Sequence, residues 1–119
     1  MAATSKTACA SKYKTKLRAS DARLDAALAA AGYAPGDITH VVLTHMHGDH
    51  IGGLTDEAGA ETFAGAAYLT GQVEFDHWDM SGNDGFEAKV RPLADKMTFL
   101  SDGDAVTGGI SAVETFGHT

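Results

Sequence analysis

Cysteine is nearly absent: Cys9 is the single one in 119 residues. That excludes an internal disulfide framework and the thiolate-rich zinc sites. It is in keeping with a reducing, cytoplasmic location. No stretch approaches the ~18–20 consecutive apolar residues of a membrane span. No apolar run near the start has the length of a secretory signal. Internal repeats are missing too. Basic charge is scarce, and the formal net charge is −7. This argues against a nucleic-acid binder, which presents a basic face. Acid, in turn, is missing from residues 1–20, which carry Lys6, Lys12, Lys14, Lys16 and Arg18.

What remains is an ordinary globular composition, 44% hydrophobic and 21% charged, and a length that means one domain or part of one. Residues 1–19 have no useful apolar period and read as a flexible N-terminal segment. Residues 20–119 read as the folded part. Residues 21–31 form the clearest helix, with Ser20 as N-cap, a narrow stripe of Leu17, Leu24, Leu28 and Ala31, and Gly32 just past its end. Ile38 to Thr44 is short, β-branched and nearly all apolar, as in a strand buried on both faces. Gly52 and Gly53 predict close backbone packing or a bend. Residues 55–65 read as loop, 66–70 as a strand, 72–78 as a short helix and 80–85 as a loop, with 90–96 ambiguous. Residues 97–100 and 105–106 read as strands around a turn at 101–104. Residues 110–116 alternate like a half-buried strand. Helices and strands alternate, so the class is mixed, α/β or α+β.

The anomaly is histidine. Four of the six, His40, His45, His47 and His50, lie within eleven residues. At the end of the predicted strand the chain reads Thr44-His45-Met46-His47-Gly48-Asp49-His50. In extended backbone, side chains at i and i+2 share a side, so His45 and His47 can reach one ion. Gly48 lets the chain turn, bringing Asp49 and His50 back from the far side. Imidazole nitrogen and carboxylate oxygen suit Zn²⁺, with Mn²⁺, Co²⁺ or Fe²⁺ as alternatives. A zinc ion held by three histidines keeps a fourth position open and brings the pKa of water from ~15.7 towards 7, giving a hydroxide nucleophile at neutral pH. Asp49 would serve a second metal and orient that nucleophile.

The run ITHVVLTHMHGDHIGGL resembles the signature of the metallo-β-lactamase superfamily. Its surroundings, AALAAAGYAPGD before it and AAYLTGQVEFDHW and VRPLADKMTFLSDGDAVTGGISAVETFGHT after it, resemble the lactonase and methyl parathion hydrolase-like branch. The resemblance covers about residues 20–119. It implies an α+β fold, part of an αββα sandwich, with the metal site at the sheet edge. It implies His45, His47 and His118 as ligands of a first metal, Asp49 and His50 as ligands of a second, and Asp49 as the catalytic carboxylate. The family's later bridging acid and last histidine fall beyond Thr119, and its opening strands and Asp-Thr-Gly-like segment are not found ahead of residue 20. The chain therefore reads as a central piece of a longer enzyme, holding one of the two zinc ions expected per complete enzyme. Half of a two-sheet sandwich would leave apolar sheet face uncovered.

The implied activity is zinc-dependent hydrolysis of a small-molecule ester, lactone or phosphotriester. The alternatives are a catalytically weak or silent zinc-binding fragment, and a glyoxalase II-like thioesterase. No nucleic-acid or membrane partner is expected. Among the remaining residues, His40 reads as a hydrogen-bonded strand histidine, Thr44 as strand packing and Met46 as core. Phe75 and Trp78 read as core and His77 as exposed. Asp37, Asp102 and Asp104 read as capping and turn chemistry, and Cys9 carries no assigned role.

Overall fold

The computed structural model describes residues 7–9 and 21–119. Four parallel strands form one sheet in sequence order: β1 (Thr7–Cys9), β2 (His40–Leu43), β3 (Ala67–Gly71) and β4 (Met97–Leu100). Parallel neighbours need long crossovers, and the helices lie in these connections. They are α1 (Asp21–Ala30) and a one-turn 3-10 segment (Pro35–Asp37) before β2, α2 (Gly48–Ile51) before β3, and α3 (Gln72–Asp79) with α4 (Asp84–Lys89) and a 3-10 helix (Arg91–Lys96) before β4. A two-stranded antiparallel ribbon, β5 (Ala105–Thr107) with β6 (Ile110–Ser111), follows.

The sheet register explains the core. Val41 pairs with Tyr68 and Tyr68 with Met97, while Leu43 pairs with Thr70 and Thr70 with Phe99. These residues share one face. Val41, Leu43 and Tyr68 on that face are buried in one cluster with Leu28, Ile38, Ile51, Phe75, Phe86, Val90 and Leu93. The α-helices and the 3-10 helix thus cover this face. The other face carries Val42 and Leu100, both half-buried, and the buried Leu69.

Helix α1 ends as its sequence predicts. Gly32 has φ +83, Tyr33 N–H donates to Leu28 C=O and Gly32 N–H to Ala29 C=O, the paired bonds of a Schellman motif. Gly53 lies where a Cβ would come within 2.9 Å of Leu24 Cδ2, which is the close approach expected of the Gly-Gly pair.

Several expectations are corrected. Thr7–Cys9 form a strand paired with β2, where a flexible start without opening strands was expected. The rest of the expected flexible segment, 1–6 and 10–19, lies outside the described residues, as do the cap Ser20 and Leu17. In α1 only Leu28 of the described stripe is buried, while Leu24 and Ala31 are exposed, because a ten-residue helix lying on the sheet buries one narrow line. Strand β2 is shorter than Ile38–Thr44 and alternates in burial instead of being buried on both faces. The helix at 84–89 takes in Asp84 and Gly85 of the loop expected at 80–85: the Asn83 side-chain oxygen accepts from Phe86 N–H at 3.1 Å and caps it. The ambiguous 90–96 stretch is largely the 3-10 helix. In 110–116 only Ile110 and Ser111 are strand.

Candidate metal centre

The chain leaves β2 at its carboxyl end, the edge at which open parallel sheets bind ligands. Residues 45–47 continue extended, with His47 at φ −60 and ψ 150 before α2 begins. Alternation then sends Met46 inward, where it is 0% exposed, and leaves His45 and His47 half-buried on the opposite side. The adjacent strand β3 ends at the same edge and feeds α3, which brings Glu74 and Trp78 alongside. Thr70 Oγ1 donates to Leu43 C=O at 3.1 Å, tying the two strand ends together.

The last residues of the chain reach the same point. His45, His47 and His118 each offer a nitrogen, and these atoms all lie within 4.8 Å of one another. Ring centroids are 5.2 Å apart for His45 and His47, 4.6 Å for His45 and His118, and 5.0 Å for His47 and His118. The interplanar angles are 72°, 86° and 83°, so the rings meet edge to face. Three nitrogens on one tetrahedral zinc, at ~2.0–2.1 Å from it, sit about 3.4 Å apart. The triad is therefore close to a binding geometry without rearrangement of the backbone.

Asp49 and His50 are not among the residues whose donor atoms converge. Both lie in α2, which begins at Gly48, so the chain passes into a helical turn and not into the sharp reversal expected at that glycine. The Asp49 side chain is 74% exposed, and its Oδ2 lies 3.6 Å from His50 Nε2. The His50 ring sits 3.9 Å from that of His45, and its Nδ1 is buried with no hydrogen-bond partner. An unpartnered buried nitrogen on a ring beside the His45 imidazole is a donor left available for a cation.

Desolvation and the neighbouring imidazoles favour the neutral form of His45. Its pKa is lowered first by desolvation and then by His50, His118 and His47, with Glu74 opposing. A neutral ring is the form that ligates. Thr44 Oγ1 lies 3.1 Å from His45 Nδ1. Thr44 is exposed beyond the end of β2, so it is a hydrogen-bonding neighbour of the site and not strand packing.

Glu74 is the residue the sequence did not single out. Its Oε1 accepts from Met46 N–H at 2.8 Å, Trp78 Nε1–H at 2.6 Å and Thr119 Oγ1–H at 3.1 Å. Trp78 in turn meets His47 edge to face at 5.3 Å. Within the sequence Glu74 is an acid in the first turn of a short helix, which ordinary helix electrostatics explains, so nothing marked it. His40 hydrogen-bonds Thr39 Oγ1 at 3.0 Å and is outside the triad. Phe75 is buried, Trp78 is partly buried against the core and His77 is exposed. Asp37, Asp102 and Asp104 accept from the backbone N–H groups of Ala34, Glu114 and Ser101.

The metallo-beta-lactamase superfamily model matches residues 10–119. The chain belongs to the metallo-beta-lactamase superfamily. It is similar in structure to a probable metal-dependent hydrolase from Staphylococcus aureus, with a TM-score of 0.61 and 29% identity. That similarity covers 71% of this chain and 32% of that one. It is similar as well to AidC, a dizinc quorum-quenching lactonase solved with a product (TM-score 0.58, 23% identity, 71% and 35% covered). The hydrolase AbOPH of the beta lactamase superfamily shares the fold at a TM-score of 0.62 and 20% identity, with 71% and 35% covered. The chain thus spans about a third of the length of these relatives. No curated protein matches it. Membership makes the described α+β arrangement part of the superfamily's fold. No helix among the described residues is long and apolar enough to cross a membrane.

Proposed function

We propose that this chain carries the first metal site of a zinc-dependent hydrolase, with His45, His47 and His118 as ligands. The observation that carries the reading is the approach of three imidazole nitrogens to within 4.8 Å at the carboxyl end of β2. Asp49 and the unpartnered His50 Nδ1 are the donors for a second ion. The donor chemistry fits zinc: imidazole nitrogens with one carboxylate beside them. When bound, zinc lowers the pKa of water and polarises a carbonyl or phosphoryl oxygen.

The chain's own residues supply the frame. Met46 anchors the histidine segment in the core, its backbone N–H donates to Glu74, and Thr44 Oγ1 meets His45 Nδ1. The substrate class proposed is a small-molecule ester, lactone or phosphotriester. Trp78, partly exposed beside His47, offers an apolar wall for such a substrate. A reducing, cytoplasmic setting suits a protein with a single cysteine.

A second reading has its own support. The Asp49 carboxylate is largely exposed and not among the donors that converge, as in a chain that holds one ion and turns over little substrate. Zinc-loaded protein assayed on an N-acyl lactone, a p-nitrophenyl ester, a phosphotriester and a thioester separates the two. Turnover that is lost with chelator and in His47→Ala supports the hydrolase. Zinc binding with no turnover on any substrate leaves the silent zinc-binding chain, and preference for the thioester moves the substrate class to thioesters.

A further inference from the structure

We infer that Glu74 is a positioning residue that clasps the two segments bearing the histidine triad, holding His45 and His47 against His118. The inference rests on the reading that these three histidines bind a metal ion. One carboxylate oxygen receives three donors, two from the segments that carry the triad and one from an indole on its own helix that meets His47. Met46 N–H lies between His45 and His47. The Trp78 indole stands edge to face against His47. The Thr119 hydroxyl follows His118 directly. Glu74 itself is fixed on α3, a helix packed into the core through Phe75. The triad's two halves, 71 residues apart in the chain by numbering, are thus both referred to one rigid element.

The alternatives for Glu74 are less economical. As a purely structural helix residue it would need one partner, not three on a single oxygen. As a metal ligand it would join the triad, yet it is not among the residues whose donor atoms converge. A carboxylate is better suited here than an amide. Hydrogen bonds to an ionised acceptor are roughly twice as strong, and its charge favours the arrival of a dication. Residues that orient ligands in this way change metal affinity ~10–100-fold when removed.

The test is zinc affinity by competition with a chromogenic chelator, together with the visible spectrum of the Co²⁺-loaded protein. Glu74→Ala is expected to lower zinc affinity by about 10–100-fold. Glu74→Gln, which keeps the oxygen but not the charge, should fall between Glu74→Ala and wild type. Thr119→Val removes only the terminal clasp and should weaken zinc binding several-fold while the melting of metal-free protein stays unchanged. A merely structural role would lower melting and leave affinity and the Co²⁺ spectrum of the folded fraction alone. Should Glu74→Ala fail to fold, Glu74→Gln and Thr119→Val decide. Wild-type affinity in Glu74→Gln, or in Thr119→Val, overturns the clasp while the metal site stands. Wild-type protein that takes up neither zinc nor cobalt overturns the metal reading first, and the clasp with it.

Discussion

Met46 is the residue through which the fold should control the site, and its truncation is the sharpest test of that link. The side chain is fully buried between two surface-facing histidines and belongs to one cluster with Leu43, Ile51 and Leu54. Met46→Ala removes a buried chain and leaves a cavity, at a typical cost of ~2–5 kcal/mol. With no exposure at all, a loss well inside that range applies, about 3 kcal/mol. For a domain of this size that lowers the melting temperature by about 12–24 °C. Met46→Leu, which conserves volume, should cost less than about 1.5 kcal/mol. Its backbone N–H bond to Glu74 is untouched by either change, so the comparison isolates packing. Urea denaturation of metal-free protein, read by far-UV circular dichroism, gives the difference directly. Zinc in excess should return part of the loss in Met46→Ala, because a ligand of the folded state stabilises it by mass action. A loss below about 1 kcal/mol, or equal losses in the alanine and leucine variants, would refute the packing of residue 46.

Other expectations are independent of that one. Asn83→Ala, which removes the cap of α4, should cost about 1 kcal/mol in urea titration, and Asn83→Asp should cost little. Lys89 Nζ donates to the carbonyls of Thr55 and Asp56 at 2.6 and 3.2 Å. Lys89→Met should therefore cost about 1–3 kcal/mol and speed proteolytic cleavage in 55–61, and unchanged cleavage would contradict the tether. Because the His45 pKa is lowered from 6.5, the unfolded chain binds its proton first as pH falls. Stability of metal-free protein should be full above 6.5 and fall below it, levelling off once pH passes the lowered folded value. A melting temperature that rises from pH 7 to 5.5 in wild type, relative to His45→Gln, would contradict that sign.

Much of the fold was legible because it follows local rules. The Schellman end of α1 at Gly32, the short strand at 97–100 and the helix at 72–79 each rest on residues close in sequence. Helix α4 escaped because six residues containing Gly85 give no clear period, and Asn83 in MSGNDG serves turns as readily as caps. Residues 110–116 were over-read because alternation describes a side-chain pattern, whereas a strand also needs a partner, and β5 pairs only with Ile110 and Ser111. The site divides the same way. His45 and His47 are joined by the i, i+2 rule, and His118 was reached through the resemblance of FGHT to the family's ligand segment. Glu74 was not legible, since its bonds to Met46 and Thr119 span 28 and 45 residues and no local spacing encodes them. Asp49 sits in the same pattern, and on α2 its carboxylate is largely exposed.

The measurement that bears most directly on the account is the zinc stoichiometry and affinity of His118→Ala beside His40→Ala, in the same chelator competition. The triad predicts one tightly held equivalent in wild type and in His40→Ala, and a loss of that tight binding in His118→Ala. Zinc held by His118→Ala as tightly as by wild type, or lost in His40→Ala instead, would contradict it.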